Sequence, residues 1–423
     1  MKFVNRYFYT CLLSLSLFFD LRSQGSDVFY SGFKINEGQR SHVDVYSQYS
    51  VGSNAITNDF SKILFYTGGY IDQAMKNKIS KKLKDSNRFG GDITAGFVYS
   101  KDLPKKNRSI SFIVEHKKYL NASFSDDFFS IAMNGNKQFA GTTADLSGFS
   151  LNSLQYQKVG VGLMWTNIDS VAKLGIGFAY LNGVKNIAVE AKNAELYTSP
   201  DGRYIDLMTS ISYDQSDTGN LTFFKNNGYG FSTDLYFEAP YKLKNAKGKV
   251  VINVDDVGFI RWNNNSLSYN KQDASYHFDG VTVNNIFEIN DSAFGETSRD
   301  SLLRKIIPAG KHSYTTVLPA TLDIYTNTIY NDRFQFIKGI RYIFNANNKA
   351  LFYLGANYFP NKKLMLTTNL SYGGYTGIGV GLGLTASLLE RSVLRIYSNN
   401  VEGYIMPRKT TAQGLYVSLK QYF

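Results

Sequence analysis

The feature that most constrains this chain is an alternation of apolar with small or polar side chains, repeated in segments separated by polar turns. In the clearest segment one face is entirely apolar, and the other face consists of glycine, threonine and serine. The apolar positions are Ile378, Val380, Leu382, Leu384, Ala386 and Leu388. Successive side chains of a strand point to opposite sides, so the alternation predicts strands with two chemically different faces. We count about fourteen such segments.

Two architectures use this many amphipathic strands: a soluble stack of β-sandwiches, or one closed barrel with lipid outside and a polar lumen inside. Polar and small residues on the second face favour the barrel, because a sandwich needs core residues there. Aromatic residues at the ends of the apolar faces suit the girdles of a membrane barrel. They are Tyr99, Trp165, Tyr180, Tyr213, Tyr229, Phe237 and Tyr372. The predicted fold class is all-β, a transmembrane antiparallel β-barrel of about 14 strands.

The N-terminus has the three zones of a secretory signal. Lys2 and Arg6 form the positive start, Cys11 to Phe19 the apolar middle, and Ser23 is the small residue of the polar exit. We expect cleavage near Gln24, which leaves residues 25–423 as the barrel. Cleavage also removes the only cysteine of the chain, so disulfide and thiolate chemistry are excluded in the mature protein.

Charge and composition exclude other classes. Removing the leader takes away three cations and one anion, so the formal charge falls from +12 to +10. An exported chain with no recognition motif does not use this charge for nucleic acid, and solvated loops near anionic lipid headgroups explain it better. Apolar stretches shorter than the ~18 residues of a spanning helix exclude a helical bundle. Outer-membrane lipid is therefore an expected partner.

Residues 58–86 break the strand rhythm. Ile71, Met75 and Ile79 recur every fourth residue with Leu83, and lysines occupy much of the rest. This spacing predicts a short amphipathic helix. Two positions remain open: a plug folded into the lumen, with these apolar residues as lumen or gating candidates, or a loop helix resting on the barrel rim.

Two more breaks occur, at Ser123 to Gly135 and at Phe287 to Ile307. The second contains a helix candidate, Asp300 to Ile307, followed by Pro308. Loops of this length on a compact barrel usually carry recognition or gating.

Nothing in the sequence indicates catalysis, a metal or a cofactor. The four histidines, His42, His116, His277 and His312, lack the spacing of a helical metal pair. The glycines from 377 to 383 follow every second position, so they indicate a strand with a small-residue face and not a nucleotide-binding loop.

Paired acids occur at Asp126-Asp127 and Asp255-Asp256. Adjacent residues of a strand point to opposite faces, so we expect neither pair to share a proton or a water. No nucleophile-elbow pattern is present either. The chain is therefore not expected to be an enzyme.

A family resemblance rests on four stretches: Gly68 to Asp72, Asn87 to Asp92, Asp255 to Asn265, and Leu318-Pro319. With these, the chain resembles an uncharacterised outer-membrane barrel family of Bacteroidota. That family is similar in outline to FadL-type fatty-acid transporters and to PorV-like barrels of protein secretion.

The same resemblance brings Arg261 and Trp262 forward as lumen candidates. The alternative is that Arg261 satisfies a buried carboxylate such as Asp255 while Trp262 lies in an interface girdle. The last strand carries Leu415, Val417, Leu419 and Phe423 on one face. It resembles the C-terminal signature read by the barrel-assembly machinery, although Gln421 departs from that pattern.

These observations predict a monomeric barrel of the outer membrane with both termini on the periplasmic side. The FadL-like outline implies passage or binding of a hydrophobic or amphipathic small molecule. The alternative function is a non-transporting barrel that serves as a partner of secretion components or in surface attachment.

Overall fold

The computed structural model describes residues 41–103, 107–167, 171–217, 225–243, 246–279 and 310–423. The predicted leader with its cleavage near Gln24, and the break from Phe287 to Ile307, lie outside these ranges. The strands, in chain order, are β1 (Ser41–Ser53), β2 (Asn87–Leu103), β3 (Arg108–Phe124), β4 (Thr143–Asp145), β5 (Phe149–Thr166), β6 (Lys173–Thr198), β7 (Tyr204–Gln215), β8 (Gly228–Leu243), β9 (Ala246–Trp262), β10 (Leu267–Asp279), β11 (Gly310–Lys311), β12 (Thr315–Val317), β13 (Thr321–Ile329), β14 (Phe334–Ile343), β15 (Lys349–Asn361), β16 (Leu364–Gly374), β17 (Ile378–Leu389), β18 (Ser392–Ser398) and β19 (Ala412–Tyr422). The α-helices are α1 (Asn58–Lys62), α2 (Gln73–Ser80), α3 (Asp126–Asn134) and α4 (Glu402–Ile405).

Fourteen of these strands form one closed antiparallel barrel, which confirms the predicted fold class. The ring runs β1-β2-β3-β5-β6-β8-β9-β13-β14-β15-β16-β17-β18-β19, and β19 pairs with β1 to close it. The closing register joins His42 to Tyr422 and Gly52 to Ala412. Closure leaves the wall without an unpaired edge.

The two ends of the barrel differ in their connections. At the terminal end, Phe423 N donates to Ser41 O at 2.9 Å, and the wall strands are joined by short connections. At the other end, the loop end, β1 is joined to β2 and β3 to β5 through helical segments. The N- and C-terminal ends of the described wall thus lie together, as the sequence predicts for a membrane barrel.

The outward face carries a belt of exposed apolar side chains. Phe178 on β6 is 56% exposed and Leu370 on β16 is 58% exposed. Of the predicted girdle residues, Tyr99, Tyr180, Tyr229, Phe237 and Tyr372 are exposed on this wall. Such a belt needs an apolar solvent, which is what acyl chains provide. Among the described helices, none is long and apolar enough to cross a membrane.

The wall branches at β6, the longest strand of the barrel. Its first half, up to Gly183, pairs with β8 in the wall, and its second half, from Ile187, pairs with β7. β7 in turn pairs with β10, so the two form a sheet extension beyond the ring. Tyr213, which the sequence analysis assigns to the aromatic girdle, therefore lies on β7 in the extension and is not part of the wall girdle.

The segment 58–86 lies outside the barrel. Phe60, Ile79 and Phe129 form a buried cluster with Phe89 and Leu120 of the wall. Phe89 and Leu120 face outward, since Gly90 next to Phe89 abuts Tyr375 in the lumen, and Tyr119 next to Leu120 hydrogen-bonds with that same Tyr375. We call α1, the π-helical turn Ile63–Thr67, α2 and α3 together the helical collar.

The helical collar explains the outward face of β3. Ile110, Phe112 and Val114 belong to the apolar belt, and the polar His116 and Lys118 follow. The same face then becomes apolar again at Leu120, Ala122 and Phe124, and the collar covers these three residues. An uncovered apolar patch beyond the lipid belt would be costly in water, so the collar shields it.

Candidate functional site

The middle of the lumen holds a group of buried ion pairs, here called the charge belt. Lys158 Nζ lies 2.7 Å from Asp256 Oδ1 and 2.7 Å from Asp234 Oδ2. Lys117 Nζ lies 2.5 Å from the other Asp256 oxygen and 3.4 Å from Glu115 Oε2. The residues come from β3, β5, β8 and β9, so the belt joins strands that are not neighbours in the wall.

A bulge in β9 brings both carboxylates of Asp255-Asp256 into the lumen. Asp256 has a φ of 60°, and the register of β8 with β9 shifts between Thr233 and Leu235. Asp255 accepts a hydrogen bond from Asn253 Nδ2 at 2.5 Å, on the inward face. The expectation that adjacent acids point to opposite faces is therefore wrong here, because the left-handed residue at the bulge interrupts the alternation.

Asp323 and Asp44 form further ion pairs in the lumen. Arg341 Nε donates to Asp323 Oδ2 at 2.9 Å, and Tyr353 Oη donates to Asp323 Oδ1 at 2.6 Å. Nearer the terminal end, Asp44 Oδ2 accepts a hydrogen bond from Arg395 Nη1 at 3.3 Å, and Lys420 Nζ lies 3.4 Å from the same oxygen.

Aromatic and aliphatic side chains fill the space between these pairs. Tyr46, Val251, Ile337 and Tyr416 have no exposed surface and pack with Tyr325, Tyr353 and Tyr397. The glycine face of β17 makes room for this cluster, since a Cβ at Gly383 would lie 2.5 Å from Tyr397 Cδ2. The small residues predicted from the alternation therefore serve close packing.

The hairpin between β16 and β17 folds inward at the loop end. Its tip, residues 375–377, follows Gly373 and Gly374, which have φ values of 116° and 63°. Arg88 on β2 holds the tip, because its Nε donates to Gly374 O at 3.1 Å and its Nη2 donates to Thr376 O at 3.0 Å.

Tyr375 carries the tip into the lumen. Its hydroxyl lies 2.6 Å from the hydroxyl of Tyr119 and donates to Asn121 Oδ1 at 3.1 Å. A Cβ at Gly90 would lie 2.1 Å from Tyr375 Cζ, so only glycine leaves space for the ring there. The tip is therefore anchored to β2 and β3.

Beneath the tip lies a lumen cavity of about 140 Å³. Its wall combines carboxylate, guanidinium and amide groups with the apolar residues Leu351 and Ile343. The polar members include Asp92, Arg341 and Asn369. Asp92 accepts hydrogen bonds from Gln48 and Ser50. A molecule with one polar and one apolar part would find partners for both in this cavity.

The structure separates the predicted site residues. Trp262 is 1% exposed inside the lumen, and its Nε1 donates to Thr316 Oγ1 at 2.9 Å. Arg261 points outward at the loop end of β9 and is exposed, and among the described residues no ion pair joins it to Asp255. Ile79 is fully buried in the helical collar, with Ile71 and Met75 packed beside it. The collar position of Ile71, Met75 and Ile79 and the outward direction of Arg261 do not agree with a place in the lumen. A role of any of these residues in gating stays a prediction.

Sequence reasoning missed Arg88, Tyr375, Lys117 and Lys158. Gly373-Gly374 indicated a turn between two strands, but nothing in the sequence indicates that the turn folds into the lumen. Lys117 and Lys158 could have been found from their place on the lumen-facing side of alternating strands. A buried lysine there requires a carboxylate partner, so it predicts an ion pair in the lumen. In the described part of the chain, no cluster of three metal-ligating side chains occurs.

A closed wall of amphipathic strands with an apolar outer belt defines a transmembrane β-barrel. The chain belongs to the family described as "Family of unknown function (DUF5723)", whose model matches residues 34–390. No curated protein is similar in sequence.

Among solved structures, the TodX deltaS2S3 mutant monoaromatic hydrocarbon channel has a TM-score of 0.46 and 8% identity, over 91% of this chain and 90% of that one. The Ralstonia pickettii toluene transporter TbuX has a TM-score of 0.44 and 9% identity, over 91% and 90%. The translocator domain of the autotransporter NalP from Neisseria meningitidis has a TM-score of 0.35 and 10% identity, over 95% of both chains. TM-scores of this size carry no weight for function.

Proposed function

We propose that this barrel lies in the outer membrane and binds or passes a small hydrophobic or amphipathic molecule, with the β16–β17 tip as its gate. The observation that supports this most is the cavity enclosed beneath Tyr375, with apolar and polar groups in one wall. The exposed apolar belt supports the membrane location, and the exposed Phe423 at the end of β19 is the residue we expect the assembly machinery to recognise.

The size of the cavity assigns a task to the tip. At about 140 Å³ it is smaller than the roughly 300 to 1,000 Å³ of ordinary ligand sites. A larger ligand therefore requires the tip to move outward, which breaks the contacts of Arg88 and Tyr375. The strand pairs on either side of the tip do not depend on these contacts, so the motion is compatible with an intact wall.

The filled lumen argues against a general water pore. Wide porins leave an aqueous channel, whereas here the lumen centre is occupied by tyrosines and buried ion pairs. Selective binding near the loop end is a better match to this interior.

Equilibrium dialysis of the detergent-solubilised protein against 4-nitrophenol, a small amphipathic aromatic, tests the proposal. Ser371 lines the cavity, so Ser371→Phe fills it and should abolish binding. Thr368→Phe is the matched control, because Thr368 lies on the same strand and is exposed on the outward face. Equal binding by the wild type and Ser371→Phe would remove the cavity as the site.

The sheet extension of β7 and β10 favours a second candidate, a non-transporting barrel that is a partner of secretion components or supports surface attachment. A sheet that stands off the wall offers a contact surface without opening the lumen. Extraction in mild detergent followed by identification of co-purifying proteins tests this candidate. A barrel that purifies alone from its native membrane contradicts it.

A further inference from the structure

The loop end carries a second cavity, here called the mouth cleft, of about 740 Å³. Five cationic side chains and one carboxylate line the cleft. The cations are Lys82, Lys84, Arg88, Lys349 and Lys409, and the carboxylate is Glu402. The cleft lies on the other side of the β16–β17 tip from the lumen cavity, and Thr376 of the tip lines both.

The single carboxylate offsets at most one of the five positive charges, and its own hydrogen bonds go to neutral groups. Glu402 Oε2 accepts from Val380 N at 3.1 Å, and Oε1 accepts from Asn400 Nδ2 at 2.9 Å. Across the described ranges, none of the five cations forms an ion pair. Arg88 donates to Gly374 and Thr376 carbonyls, and Lys82 Nζ donates to Lys409 O at 3.3 Å.

Helix electrostatics explains only part of this convergence. Lysines after the last turn of α2 complement its dipole, which accounts for Lys82 and Lys84. Lys349 begins β15, Lys409 follows α4, and Arg88 belongs to β2, so these three have no such reason to meet. Burial lowers the pKa of Lys82 and the nearby Lys78 lowers it further, whereas Asp59 raises it. Positive charge is therefore concentrated here beyond what local partners balance.

We propose that the mouth cleft binds a phosphomonoester group. Such a group carries close to two negative charges and three acceptor oxygens, which matches several convergent ammonium groups better than a carboxylate does. The proposal is independent of the transport function, because it concerns the outer side of the tip.

A phosphate can reach the cleft on a lipid or in free solution. Tyr372 and Ile378, which border the cleft, are 65% and 75% exposed on the outward face of the wall. The cleft is therefore continuous with the lipid-facing surface, so a membrane-borne headgroup and a soluble phosphate must be compared directly.

The test uses the full mature chain in detergent micelles, with binding followed by microscale thermophoresis. The probes are inorganic phosphate, micelles doped with dioleoyl phosphatidic acid, and micelles doped with oleate. The test variant is Lys84→Gln/Lys349→Gln/Lys409→Gln, whose three side chains are exposed. The control is Lys242→Gln/Lys362→Gln/Lys363→Gln, which removes the same charge from exposed positions at the terminal end.

We expect the test variant to lose at least about tenfold in affinity for phosphatidic acid while the control retains it. Binding of inorganic phosphate as well would show that the phosphate alone suffices, and binding of phosphatidic acid only would assign the lipid headgroup. Equal losses in both triple variants, or oleate binding as tight as phosphatidic acid, would overturn the proposal. The heat-modifiable gel mobility of each variant, compared between unheated and boiled samples, checks that both variants are folded barrels.

Discussion

Lys158 Nζ and Asp256 Oδ1 meet at 2.7 Å in the middle of the lumen, and each side chain is 3% exposed. Asp256 reaches this position only because its φ of 60° turns it inward beside Asp255. The contact thus depends on a backbone bulge as much as on charge.

Replacing Asp256 by asparagine should destabilise the barrel by about 3 to 5 kcal/mol, since Lys117 and Lys158 would both lose their shared anion in a buried site. Urea unfolding in micelles, followed by tryptophan fluorescence, measures the change. Asp201→Asn is the control, because Asp201 pairs with Arg203 at an exposed turn, where solvent screening leaves the pair little effect on stability. Identical unfolding midpoints for Asp256→Asn and the wild type would contradict the structural role of the charge belt.

Substituting Gly90 by alanine should displace the hairpin tip, since a Cβ there would overlap the ring of Tyr375. The readout is maleimide labelling of a cysteine introduced as Thr376→Cys, which should become faster in the Gly90→Ala background. Gly377→Ala is the matched control within the same tip, because a Cβ at Gly377 has no atom within 4 Å. If both backgrounds label at the same rate, Gly90 does not hold the tip in place.

The helical collar should unfold locally when its core is truncated. Phe60 is fully buried and packs against Phe129 with ring centroids 6.0 Å apart. Phe60→Ala should cost about 3 to 5 kcal/mol of collar stability and make residues 58–86 sensitive to trypsin, while the wall stays resistant. Tyr70→Ala, at a side chain that is 83% exposed, should leave the digestion pattern unchanged. Cleavage within the wall strands at the same rate would show that the collar is not a separate unit.

The sheet extension should respond to pH through His277. Hydrogen bonds that the His277 ring donates to Asp206 and then to Asp279 raise the pKa of His277 above its ordinary value of 6.5. The folded state thus favours the protonated imidazole. Its contribution is complete below pH 6.5 and disappears as the pH rises through the elevated pKa.

Amide hydrogen exchange of β7 and β10 measures this, and protection should decrease across that interval. Asp206→Asn should bring the pKa of His277 back towards 6.5, and His277→Gln should make the protection factors, which are corrected for the intrinsic pH dependence of amide exchange, insensitive to pH in the same range. A pKa at or below 6.5 in the wild type would contradict the assigned hydrogen bonds.

Sequence alone predicts the wall well and the interior poorly. The two-residue period predicts the fourteen strands and their outward faces. In a strand such as β17, the alternating apolar side chains all lie on one face, and that face must contact the apolar lipid. The four-residue spacing of Ile71, Met75 and Ile79 also predicts a short amphipathic helix. Periodicity does not state which side of the wall that helix covers, since both the lumen rim and the outer face can bury an apolar stripe.

The candidate site depended on departures from the period. The alternation places Asp255 and Asp256 on opposite faces, and one left-handed residue reverses that outcome. Arg88 and Gly374 meet across more than 280 positions of sequence through a folded turn. No local pattern encodes such a contact, because it depends on the curvature of the closed wall.

The branching of the wall at β6 has a mechanical consequence. A single covalent strand runs from the lipid belt into the extension, so tension applied to β7 or β10 passes along the backbone of β6. Hydrogen bonds between antiparallel strands lie perpendicular to the chain. A force along β6 therefore loads all the hydrogen bonds that join β6 to β5 and β8 in shear at the same time, and does not break them one by one. An external load on the extension would meet the collective resistance of the embedded ladder.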